Sequence, residues 1–167
     1  MKTVMSWLFF RRSRVVEMPV LLLESDFSPY QRLEDYQAQC VRPGENGAAV
    51  SFVGTLRDMH DDQAIEAMTI ECYPDMALKE IATVCEQAAD QWPINDSLVI
   101  HRYGNVDPGD TLVLVAVWSA HRQQAFDACR YIIHYLKHKA PFWKQEKTSQ
   151  GQHWVTTNTE DQGVVSC

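Results

Sequence analysis

The chain has 167 residues, with 15 basic and 22 acidic side chains, a formal charge of −7, 46 % hydrophobic residues and 22 % charged ones. This is the composition of one globular domain with apolar material for a core, and it excludes a disordered chain, a collagenous repeat and a coiled-coil rod. An acidic chain lacks the general phosphate attraction of nucleic-acid binders, so no nucleic-acid partner is expected and any anion site must be local.

Residues 1–17 stand apart. Val4 to Phe10 is apolar but is followed by Arg11, Arg12 and Arg14, the reverse of a secretory signal. An unstructured extension with Met18 as the working start fits this order better than a short amphipathic membrane contact. Four basic residues against Glu17 leave the rest of the chain at −10. No apolar run reaches the roughly 18 residues of a membrane helix; the longest, Thr111 to Trp118, has the length and β-branching of a strand. A soluble, cytoplasmic protein is expected.

In chain order, Pro19 to Leu23 reads as a strand, and Ser28-Pro29 starts a helix running to about Gln39, closed by the Arg42-Pro43-Gly44 turn. Ala48 to Gly54 and Ile65 to Cys72 are strands, the second with Ile65, Ala67, Thr69 and Glu71 on one face, and Asp58 to Asp62 is a polar loop between them. After Pro74 the spacing of Met76, Ile81, Val84, Cys85, Ala88 and Trp92 is helical, and Pro93 ends it. Leu98 to Tyr103 and Thr111 to Ser119 form an antiparallel pair around the Pro108-Gly109 turn. A long helix follows from His121 to Lys139, with Ser119 as its cap and Pro141 as its stop, and short extended pieces at Phe142 to Lys147 and His153 to Thr156 close the domain. Strands and helices mix without strict βαβ alternation, so the class is α+β.

The helix around residue 130 carries the strongest chemical signal. Phe126, Ile133 and Lys137 fall within a narrow arc, with Cys129 and Leu136 beside them. A lysine ending an apolar arc either snorkels from the helix end, where a cation suits the dipole, or is a partly desolvated amine able to act as nucleophile or acid–base group. Seven residues on, Lys144 follows Pro141-Phe142-Trp143, so a second amine is brought near the first. Glu146 offers one of them an ion pair, unless the run is simply a solvated stretch of charge. His121 and Arg122 in the first helical turn, with free amides, suit an anion, and Arg57 after Phe52-Val53-Gly54 offers another guanidinium.

The five cysteines contain no CxxC pair, so neither a disulfide framework nor a zinc cluster is expected. Cys129, on the apolar face, reads as a buried thiol rather than a nucleophile. His134 and His138 have the i, i+4 spacing of metal ligands but no third ligand near in sequence. No metal or other cofactor is expected.

Several segments together resemble the catalytic (large) subunits of molybdopterin synthase. They are Phe52-Val53-Gly54-Thr55-Leu56-Arg57, His101-Arg102-Tyr103-Gly104 with Pro108-Gly109-Asp110, Ser119-Ala120-His121-Arg122 with Ala125-Phe126, and Leu136-Lys137 leading to Ala140-Pro141-Phe142-Trp143-Lys144-Gln145-Glu146. The resemblance covers residues 18–156, leaving 1–17 as the extension and 157–167 as a flexible tail. It implies an α/β-hammerhead with a mostly antiparallel mixed sheet, and a homodimer that binds a small ubiquitin-like partner on each side, a heterotetramer. That partner's C-terminal Gly-Gly thiocarboxylate supplies two sulfurs to cyclic pyranopterin monophosphate, giving the dithiolene of molybdopterin. By position, the resemblance makes Lys137 and Lys144 catalytic, has Arg57, His121 and Arg122 bind the substrate's anionic groups, and has Thr55, Leu56, Gln145 and Glu146 line the site. Gln145 stands where a basic residue is common, and Asn105-Val106-Asp107 replaces a segment that usually holds Glu. The chain ends Ser166-Cys167 rather than Gly-Gly, so the sulfur carrier is expected to be a separate protein. A non-catalytic adaptor binding that carrier is the alternative, and the presence of both lysines weighs against it.

Overall fold

The computed structural model describes residues 19–155; the expectations for 1–17, Met18, 157–167 and Cys167 lie outside them. Twelve elements follow in order: β1 Val20–Leu23, α1 Pro29–Cys40, β2 Ala48–Thr55, β3 Met59–His60, β4 Gln63–Cys72, α2 Pro74–Gln91, β5 Ile94–Arg102, β6 Gly104–Val106, β7 Thr111–Ser119, α3 Arg122–His138, β8 Phe142–Thr148 and β9 Gly151–Trp154. They build two sheets, and the class is α+β as the sequence implies.

The first sheet has the order β1-β5-β7-β2, antiparallel except for the parallel β1–β5 pair. Every residue of β7 from Leu114 to Ser119 is buried, because both faces are covered. Val115 and Val117 point to α2 and α3, meeting Ile81, Val84, Cys85, Ala128, Cys129 and Ile132. Leu114, Ala116 and Trp118 point the other way, toward Phe27 and Tyr36 of the α1 layer. The continuous apolar run of β7 is thus the signature of a strand buried on both faces. Pro29 and Pro74 occupy the first turns of α1 and α2, where a missing amide costs nothing.

The second sheet runs β3-β4-β8-β9, with β6 pairing along β4. Three details differ from the sequence reading. The faces of β4 do not alternate throughout: Ile65 is buried with Met68 and Ile70, because the β4–β8 register shifts between Ile65 and Ala67 and the bulge flips the phase. The Asp58–Asp62 loop contains β3 and a two-residue hairpin turn, Asp61 and Asp62 both having positive φ (48° and 62°), the requirement of a type I′ turn. Ser119 does not cap α3. His121 holds that position without a side-chain cap bond, while the Ser119 hydroxyl donates to the Pro93 carbonyl at 3.0 Å and accepts from the His121 amide at 3.3 Å.

The face of α3 also shifts. Ala125, Ala128, Cys129, Ile132 and Leu136 form its buried stripe, and Phe126 is 54 % exposed. Ile133 and Lys137 lie on the edge of that stripe, facing the gap between the two sheets.

Candidate functional site: a two-lysine cavity between the sheets

That gap is a cavity of about 540 Å³. Its apolar wall comes from Phe52 of β2, Leu112, Val113 and Val115 of β7, Ile65 and Met68 of β4, and Ile133 and Leu136 of α3. Its polar lining is Thr55, Arg57, His60, His101, Lys137, Lys144 and Glu146. In a protein of net negative charge, three cationic side chains and one carboxylate among the described residues line this space, an excess of positive charge that suits an anion.

The first sheet delivers Thr55, Leu56 and Arg57 through a break in its own ladder. The β2–β7 register shifts between Gly54 and Thr55, turning the chain out of the sheet. The Pro108-Gly109 turn then catches it, the Leu56 amide donating to Asp110 O at 3.0 Å and the Gly109 amide to Leu56 O at 2.8 Å. Gly54 itself is needed for close packing: a Cβ there would stand 2.8 Å from Val113 Cγ1. The turn is tied down in its turn. Arg102, buried at the end of β5, donates to Asp110 Oδ2 at 2.8 Å and to Asn105 O at 3.0 Å. The Asp107 amide, and after it the Arg102 guanidinium, hold the Asp110 carboxyl below its ordinary range.

The two lysines reach the cavity from opposite sides, Lys137 from the last turn of α3 and Lys144 from β8. The proton affinity of the Lys144 amine is lowered: burial lowers it first, the Lys137 charge lowers it further, and Glu146 opposes both. A partly desolvated amine is therefore present at Lys144.

Two histidines that sequence reasoning did not single out also line the space. His101 is buried, donates its Nδ1 proton to Arg102 O at 2.7 Å and stacks on Phe142 at 4.0 Å between ring centroids. Burial pushes its pKa down to about 4, with Lys144 adding to the fall and the Arg102 carbonyl opposing it, so the ring is neutral near pH 7. His60 stands with Nδ1 at 2.9 Å from Glu146 Oε2. Glu146 is thus hydrogen-bonded by an imidazole while its charge also acts on Lys144. Neither histidine could be found by spacing, because His60 meets Glu146 and His101 meets Phe142 only when strands distant in sequence come together.

Three expected site residues are not in this cavity. Gln145 is sent to the opposite face of β8 by strand alternation, pairing with Thr69 and Trp154. His121 and Arg122 are exposed at the start of α3, and at 1.5 Å per residue the helix separates them from Lys137 by about 22 Å.

The four described thiols are not part of the cavity lining. Burial raises Cys129 to about 12 and Cys85 to about 11, and pushes Cys40 and Cys72 upward too. The His134 and His138 rings lie against each other on the outside of α3, 4.3 Å apart and tilted by 32°. Among the described residues no cluster of three ligands suits a metal ion, and no helix is long and apolar enough to cross a membrane.

Fold and cavity define an α+β protein with a lysine-lined cavity between two sheets. The family described as MoaE protein matches residues 26–139, and the chain belongs to it. A Pseudomonas aeruginosa molybdopterin synthase catalytic subunit is 40 % identical over 148 residues, covering 89 % of this chain and 97 % of that protein. The structure of molybdopterin synthase from Staphylococcus aureus superposes with a TM-score of 0.73 at 28 % identity, covering 82 % of this chain and 96 % of the other. A Helicobacter pylori complex of subunits 1 and 2 of molybdopterin-converting factor shares the fold, with a TM-score of 0.68 at 20 % identity over 82 % and 90 % of the two chains.

Proposed function

We propose that this chain is the catalytic subunit of a cytoplasmic molybdopterin synthase. It would take two sulfurs from the C-terminal thiocarboxylates of successive small ubiquitin-like partner molecules and place them on cyclic pyranopterin monophosphate, forming the dithiolene. The observation that carries this reading is the meeting of Lys137, Lys144 and Arg57 in one cavity of an acidic protein. Arg57 and Lys137 hold the anionic substrate, and Lys144, with its lowered proton affinity, is suited to moving protons. A thiocarboxylate is already an activated sulfur donor, which accords with thiols that lie away from the cavity and resist ionisation.

The same reading makes the enzyme a homodimer. His121 and Arg122 lie too far along α3 to reach the cavity of their own chain, so a substrate-binding role requires a second copy to bring them. The decisive experiment mixes the chain with thiocarboxylated partner and cyclic pyranopterin monophosphate and assays molybdopterin; no product would refute the proposal. Mixing inactive Lys137→Ala and Arg122→Ala chains tests the second copy. Partial recovery of turnover is expected, since a mixed dimer holds one intact site, and no recovery would remove Arg122 from the neighbouring site.

A further inference from the structure

Glu146 is a buried carboxylate, 4 % exposed, with more partners than a wall residue needs. The Nδ1 of His60 lies 2.9 and 3.1 Å from its two oxygens. His153, directly opposite on β9, places Nε2 at 3.3 Å from Oε2. A carboxylate oxygen only accepts, so the His60 proton sits on Nδ1 and is donated to Glu146, while the His153 ring stands at ion-pair distance from the same carboxylate. The rings come from independent elements. His60 is fixed by the I′ hairpin of β3 and β4, with Asp61 Oδ2 at 3.7 Å from its other nitrogen, whereas His153 is carried by the edge strand. Strand alternation puts Glu146 on the same face of β8 as Lys144.

We propose that His60 and His153 form an imidazole clamp that fixes Glu146 as the counter-charge of Lys144, making both histidines positioning residues for the sulfur-transfer site. The proposal rests on the catalytic reading of Lys144 given above. Two charged groups and the burial of the site act on the Lys144 amine. Lys137 on α3 and the desolvation of the cavity lower its proton affinity, and Glu146 raises it; the ring of His101 is neutral there. If the clamp is removed, Glu146 is free to rotate toward solvent, and the one influence that favours the protonated amine weakens. The sign is therefore fixed: Lys144 must titrate at lower pH when the clamp is lost.

The test uses the full chain labelled with 15N-lysine, with the Lys144 Nζ signal assigned by its loss in Lys144→Arg. In His60→Leu the Lys144 midpoint is expected to move down. The reconstituted enzyme's kcat–pH profile should move with it, and kcat should fall on the order of tenfold, as for a lost charged hydrogen bond. His60→Asn should restore most of both, because its side-chain amide donates from the place of Nδ1. His153→Gln, whose amide reaches the place of Nε2, should outperform His153→Leu in the same way. A folded His60→Leu/His153→Leu double variant with an unmoved Lys144 midpoint would overturn the clamp, as would an Asn variant no better than Leu. A midpoint that moves as expected in a chain that makes no molybdopterin would support the clamp and refute the catalytic reading instead.

Discussion

The two sheets divide the protein's work. The first is apolar on both faces, with α1 on one side and α2 and α3 on the other, and residues such as Leu114, Val115 and Val117 are fully buried. The second has a small core of Leu56, Ile65, Met68, Ile70 and Val106, and it supplies Lys144, Glu146, His60 and His153. Most of the buried apolar core thus belongs to the first sheet, while the cavity lies on the seam and draws its polar side chains from both. A charged constellation like this one opposes folding through desolvation and like-charge repulsion, so it is tolerated best beside a layer that holds the fold without it.

The sharpest way to break this division is to remove the amines. Lys137→Ala and Lys144→Ala should each lower molybdopterin formation on the order of 10³-fold while leaving the thermal unfolding midpoint near wild type. A loss of folding in either variant would show that the seam also carries stability. The converse substitution is Leu114→Ala in the first sheet, expected to cost about 2–5 kcal/mol in urea unfolding with turnover per folded molecule little changed. A large loss of turnover there would mean that the apolar layer shapes the site directly.

His101 lies on the boundary, and its pH dependence sharpens the comparison. Its folded pKa of about 4 lies below the ordinary 6.5, so between those values the unfolded chain binds more protons than the folded one. Stability is therefore lost as pH falls from 6.5 toward 4, by up to about 3 kcal/mol from this residue. His101→Gln should flatten that part of the slope when urea unfolding at pH 7 and pH 4.5 is compared; an unchanged slope would mean the loss arises elsewhere. The smallest expected effect is Cys129→Ala, a loss of about 1–3 kcal/mol of stability with turnover retained. Lost turnover in the folded variant would overturn a mechanism without thiols of this chain.

The two regions also differed in how far they could be read from sequence. β7, α2 and α3 were legible because their patterns are long and closed by Pro93 or Pro141. The second sheet was legible only in part. β3 and β6 have two and three residues, too few to carry a period, and exist because β4 offers an edge to pair with. The bulge in β4 reversed the phase that alternation predicts, and the true stripe of α3 lies to one side of the arc through Phe126. At the site, Lys137, Lys144 and Arg57 stood out because cations beside apolar segments are unusual. His60 and His101 did not, since an imidazole's role is set by neighbours distant in sequence.

The connection between α3 and β8 bears on the relation of the two amines. Lys139 and Ala140 both donate backbone N–H bonds to Tyr135 O, at 2.8 and 3.0 Å, and the Phe142 amide donates to Ala140 O at 2.8 Å, a γ-turn centred on Pro141. Three residues with nearly every torsion fixed therefore span the seam, and the proline removes one more freedom. For Lys137 and Lys144 this is a question of effective concentration: the linker holds each amine in the other's neighbourhood, and the entropy of bringing them together is spent in folding rather than in each turnover. A glycine inserted beside Pro141 would leave both lysines present and both sheets formed, yet dilute one amine with respect to the other.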